Sequence, residues 1–174
     1  MALLIRSQLG SMPWDVLHQG LAHRMGHSIG TMAIAVSVIV LLMWIPLREK
    51  PGVGTISNVL IIGFSVDVAL AVLPAVHSLP MRAALAGAGV VLNAVATAAY
   101  IGTQLGPGPR DGLMTGLVRR TGGSVRLVRT VIEVTIVVIG WALGGTLGIA
   151  TVLYALAIGP LVQVFLPRLM VCSR

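Results

Sequence analysis

Only five of the 174 residues are acidic, and two of these sit in matching motifs, Pro13-Trp14-Asp15 and Pro109-Arg110-Asp111. A proline followed two residues later by a carboxylate suits the first turn of a helix: proline loses nothing by lacking an N–H there, and the acid meets the positive end of the dipole. The same helix start offers free backbone N–H groups to an anionic or dipolar solute. Two more acids, Asp67 and Glu133, fall inside long apolar runs. An ionisable side chain held in hydrocarbon is costly enough to mark a pathway for a solute, ion or proton. For Glu133 the plainer reading is an ion pair with Arg129, four residues earlier on the same helix face. For Asp67 it is a contact with Arg82 or a neighbouring helix. Pro13, Trp14, Asp15, Asp67, Pro109, Arg110, Asp111, Arg129 and Glu133 are the candidate substrate or pathway residues, and none is assigned a catalytic or metal-binding role.

The two motifs belong to a repeat, because Leu9 to about Leu70 aligns with Leu105 to Leu166 at a constant offset of 96. Gly10/Gly106, Pro13/Pro109, Asp15/Asp111, Gly20/Gly116, Arg24/Arg120, Gly26/Gly122, Gly52/Gly148 and Thr55/Thr151 are identical across it. Each motif opens a helix of about three turns that Gly26 or Gly122 stops. At roughly 20 Å such a helix is too short to cross a bilayer, so it lies in the interface or dips in and returns. Asp15 and Arg24, like Asp111 and Arg120, fall on opposite faces of their helix and need partners elsewhere. Trp14 stands opposite Arg110 in the alignment. It suits an interfacial anchor, while Arg110 suits an anion or, more plainly, a phospholipid headgroup.

With 56% hydrophobic and 10% charged residues, and a mean hydropathy of +0.97, the chain has too little polar surface for a soluble domain. The lipid bilayer is its first partner. A pI near 11.4 does not point to nucleic acid, since aromatics are few and the basic residues sit between apolar runs. Spans are expected over residues 29 to 47, 54 to 75, 82 to 104, 125 to 144 and 147 to 168. Met1 aligns with Thr97, inside the third, so the first copy of that span is largely missing. Either the chain starts late, through a misplaced start codon for example, or the stub finds a substitute partner. The parent fold is all-α, a polytopic inverted 3+3 helix repeat, seen here as five spans plus two short broken or interfacial helices. Residues 1–80 form the first half and 81–174 the second, within one membrane domain.

Three spans per copy invert the second copy relative to the first. Arg6, Arg24 and Arg82 then share one face, and the other nine basic residues share the opposite one. The imbalance puts that second face, with the C-terminus, in the cytoplasm. His18, His23, His27 and His77 fall on the outer face at spacings that suit a metal poorly. Cys172 reads as an inert thiol, and no cofactor motif is present. Asn58, Asn93 and Tyr154 read as interhelical hydrogen-bond formers. Gly140, Gly144 and the small run at 83–89 favour close helix packing, within the fold or in a homodimer. No nucleophile and base can be paired, so an enzyme is the weakest class.

The motifs Leu9-Gly10-Ser11-Met12-Pro13-Trp14-Asp15 and Gly106-Pro107-Gly108-Pro109-Arg110-Asp111, with Arg126, Arg129, Glu133 and the Ala157-Ile158-Gly159-Pro160 ending, resemble the YczE branch of the YczE/YyaS/YitT bacterial membrane proteins. The resemblance implies an integral inner-membrane protein of a largely uncharacterised family, with some relatives linked to antibiotic export or lipopeptide production. It brings no catalytic role. The chain departs from the family pattern in lacking most of the first span and in its Ser11-Met12 approach to Pro13. The reading that follows is a small-solute transporter or exporter with its site between the two Pro-x-Asp helices. The alternative is an accessory or scaffold protein that binds a partner through Gly140, Gly144, Arg119 and Arg120.

Overall fold

The computed structural model describes residues 1–102 and 106–169, the side chains of Arg168 and Leu169 excepted. The described residues form eight helices: α1 (Ala2–Ser7), α2 (Pro13–Met25), α3 (Ile29–Leu47), α4 (Val53–Val72), α5 (Leu79–Gly102), α6 (Pro109–Thr121), α7 (Val125–Ala142) and α8 (Ile149–Leu169). The expectations for Gln104, Cys172 and Arg174 fall outside the described residues.

Local chemistry sets the same boundaries in both copies. Pro13 and Pro109 are the first residues of α2 and α6, and Gly26 and Gly122 close them in the left-handed region, at φ 69° and 66°. Ser28 and Ser124 then cap α3 and α7 by accepting from the N–H groups of Thr31 and Leu127. α4 stops at Val72, short of the expected 75, because Pro74 holds Leu73 in an extended conformation.

Among the described residues four helices are long and apolar enough to cross a membrane: α3, α4, α5 and residues Ile149–Pro167 of α8. α7 forms where the fifth span is expected, but its 18 residues carry Arg126, Arg129 and Glu133, so by length and composition it is not one of the four. Ile45, Phe64 and Leu156 are each 71% exposed, which in so apolar a bundle is the surface that faces lipid. The stub α1 packs on α5, where fully buried Leu4 meets Ala86 and Val90.

The short helices pack on the opposite copy, α2 against α7 and α6 against α3. The α2–α7 contact is backbone to backbone: a Cβ on Gly20 would stand 2.5 Å from the Gly140 carbonyl oxygen, and one on Gly140 would stand 2.5 Å from the Leu17 nitrogen. At α6, Gly112 accommodates the ring of Trp44, whose Nε1 donates to the Pro109 carbonyl at 3.0 Å. α2 ends where α3 begins. α6 ends beside the far end of α3, where Arg119 donates to Leu47 O at 2.7 Å and pairs with Glu49 at 3.1 Å. The two short helices therefore run in from opposite ends of α3 and meet N-terminus to N-terminus.

Part of the sequence's grouping of the arginines is seen at the helix ends, whereas Arg110 and Arg129, grouped with Arg119 and Arg120, line a cavity between the helices. Arg6 donates to the Leu70 carbonyl, and Arg82 to Ser7 and Gln8 at 2.7 and 2.9 Å, all near the end of α4. Arg119 and Arg120 bind the opposite end of α3. The close approach at Gly140 makes a prediction. Gly140→Ala lowers stability in detergent by about 1–3 kcal/mol through overpacking, whereas Gly87→Ala, with open space around it, is neutral or slightly stabilising. Thermal unfolding of both variants checks this.

Candidate functional site

The chain that leads into each short helix is held by the opposite copy. Leu9 accepts from the N–H of Ala150 at 2.9 Å, and the N–H of Ser11 donates to Thr151 Oγ1 at 3.1 Å. In the other half Thr55 Oγ1 donates to the Pro107 carbonyl at 2.7 Å. Thr55 and Thr151 are repeat equivalents. The approach needs glycine at Gly10 and Gly106, whose φ values are 123° and 118°, against Gly148 and Gly52.

Where the two N-termini meet lies a cavity of about 240 Å³. Of the candidate residues, Pro13, Trp14, Pro109, Arg110, Asp111, Arg129 and Glu133 line it, and Asp15 lies fully buried behind Trp14 and His18. Asp67 is elsewhere. It accepts from Ser28 Oγ at 2.6 Å and from the N–H of Gly30 at 2.8 Å, at the start of α3. Both members of several repeat-equivalent pairs line the space: Ala33 and Arg129, Ser37 and Glu133, Asn58 and Tyr154, Ile62 and Ile158. Asn93 donates to Tyr154 at 2.7 Å, as expected of an interhelical bond, yet both also line the cavity. Thr97 and Tyr100 were not singled out as site residues by sequence reasoning, and Ser37 is reached through the 96-residue offset only as the polar, uncharged partner of Glu133.

Arg110 stacks on Trp14, 4.9 Å from the ring centroid. Trp14 is buried, so it is no interfacial anchor, and Arg110 meets it inside the bundle rather than at a headgroup. Arg129 and Glu133 form the expected pair at 3.0 Å. The Asp111 carboxylate opens onto the cavity, and burial among the surrounding helices raises its pKa against the pull of Arg110 and Arg129. His18 is not on the outer face: it is 1% exposed and lines the cavity. Its Nδ1 is 3.7 Å from Asp15 Oδ1, too far for a hydrogen bond. Neither ring nitrogen of His18 and neither oxygen of Asp15 has another protein partner among the described residues.

Burial lowers the His18 pKa below its ordinary 6.5, and Asp15 opposes that shift. The unfolded chain therefore takes up this proton first, so the contribution of neutral His18 to stability is present at neutral pH and is lost as pH falls below about 6.5. Unfolding in detergent between about pH 7.5 and 5 should show His18→Gln losing less stability than the parent chain.

Residues 1–167 match a family of unknown function, DUF6198. An uncharacterised protein of Haemophilus influenzae is 38% identical over 164 residues, spanning 94% of this chain and 75% of that one. The uncharacterised membrane protein YczE of Bacillus subtilis is 32% identical over 161 residues, 92% of this chain and 75% of that one. The uncharacterised protein YyaS of the same organism is 30% identical over 170 residues, covering 95% and 85%. No solved structure matches.

Proposed function

The chain belongs to the DUF6198 family of unknown function, and we propose that it is a small-solute transporter or exporter of the bacterial inner membrane whose site is the cavity between α2 and α6. The observation that carries this reading is the construction of one polar cavity from repeat equivalents of both copies, at the point where two non-spanning helices meet. Such a site sits between halves that can rock against each other, the arrangement used for alternating access. The entry of α2 and α6 from opposite ends of α3 supports an inverted repeat, and the arginine-rich end of α3 supports a cytoplasmic C-terminus. Arg110 and Asp111 give a solute one cationic and one anionic contact, and α6 adds its N-terminal dipole. The protein moves this solute without transforming it.

Of the residues needed by the scaffold reading, Gly140 is taken up inside the fold, while Arg119 and Arg120 stay exposed. Gly140 packs on α2, and Arg119 and Arg120 bind carbonyl oxygens at the end of α3. A test needs no known substrate. In the Cys172→Ser background, which removes the single cysteine, Ser37→Cys and Thr97→Cys are treated with a membrane-impermeant maleimide in right-side-out and inside-out vesicles. Alternating access predicts labelling of each site from both sides. Labelling from one side alone overturns it.

A further inference from the structure

The pair formed by Asp15 and His18 has no part in the solute contacts above, yet it is the most buried polar group in the wall of the cavity. Around this space the described residues place two guanidinium groups, Arg110 and Arg129, and three carboxylates, Asp15, Asp111 and Glu133. Arg129 and Glu133 neutralise each other at 3.0 Å. Arg110 is left between Asp15 and Asp111, one side-chain cation for two acids, with its face on Trp14, and the charged form of the Met1 amino group near Asp15 is disfavoured by burial. The acid in excess is therefore Asp15 or Asp111. Asp111 opens to the cavity, whereas Asp15 is 0% exposed. A fully buried carboxylate with no hydrogen-bond donor in reach is a costly arrangement, and the nearest group able to relieve it is the His18 ring.

We propose that Asp15 and His18 together are a proton-binding site in the cavity wall, taking one proton from water and releasing it again as the cavity changes access. The proton lands on a His18 ring nitrogen, and closing the present 3.7 Å to about 2.8 Å makes one charge-assisted hydrogen bond from two unpartnered groups. The groups that face the pair set how readily it loads. On α2 itself Asp15 favours the charged imidazole, and from α6 Arg110 opposes it. Asp111 on α6, Glu133 on α7 and Tyr154 on α8 act through Arg110, Arg129 lines the same cavity, and the amino group of Met1 lies within electrostatic reach of Asp15. Loading the pair removes the net negative charge beside Arg110, which frees the guanidinium for an anionic group of the solute. Proton and solute then favour each other's binding, and by linkage the effect is reciprocal. Use of the proton as coupling ion rests on the transport reading, while its binding does not.

The test is residue-specific titration of the full chain in lipid nanodiscs, labelled with ¹⁵N-histidine. The signal of His18 is assigned by its loss in His18→Gln and resolved from exposed His23, His27 and His77. His18 is expected to pass from neutral ring to imidazolium on acidification, with a midpoint below the ordinary 6.5. Asp15→Asn should move its midpoint down, and Arg110→Gln should move it up. A ring that stays neutral throughout, or a midpoint unmoved by Arg110→Gln, overturns the site; that variant decides alone if Asp15→Asn fails to fold. Two-sided maleimide labelling with a silent His18 removes the proton site and keeps the transport reading. One-sided labelling with a titrating His18 does the reverse.

Discussion

Two helices that stop inside an apolar bundle must have their loose backbone groups satisfied, and the rest of this fold follows from how that is done. A helix end leaves four N–H groups without intrahelical partners, and hydrocarbon supplies none. Proline at the first position of α2 and α6 removes one donor from each. The approach segments are held across the repeat by Thr55 and Thr151, with Gly10 and Gly106 lying close enough to make those contacts. What stays unsatisfied is gathered in one place, where the N-termini meet and polar side chains from both copies surround a small cavity. The site is thus a by-product of the solution to a backbone problem.

The two walls of that cavity have diverged. The second copy presents Arg110, Asp111, Arg129 and Glu133, whereas the first presents Trp14, Ala33 and Ser37 and has turned its acid, Asp15, into the packed interior beside His18. A symmetric pair of helix starts now frames an asymmetric cavity, with a charged side and an aromatic, mostly neutral side. Arg110 bridges them by lying on Trp14, the residue that occupies its own position in the other copy.

Much of this was legible in the sequence because the repeat was. Gly26 and Gly122, Pro13 and Pro109, and Ser28 and Ser124 mark helix ends through local chemistry that tertiary packing did not override. The Arg129–Glu133 pair likewise needed only helical spacing. Sequence left open or misjudged what depends on distant chain. For Asp67 the sequence offered a pathway role or a contact with Arg82 or a neighbouring helix without choosing the partner, and Ser28 and Gly30 reach it across the α3–α4 contact. His18 was assigned to the outer face because a helix of mixed polarity gives no clear apolar stripe, and its burial follows from α2 being enclosed by its neighbours. The sequence did not show that the charged N-terminal half of α7 places Arg129 and Glu133 on the cavity.

The trading of partners between the copies has a consequence for how such a protein can change over generations. α2 rests on α7, α6 rests on α3, and each approach segment is held by a threonine from the other half. A half on its own would have to find those contacts in a second identical chain. Once two copies had been joined and the contact residues had drifted apart, as Trp14 and Arg110 have, a pair of identical halves could no longer rebuild the same wall. The fusion acts as a ratchet: a substitution in one copy is screened by the shape of the other, and neither can be shed without stranding its neighbour.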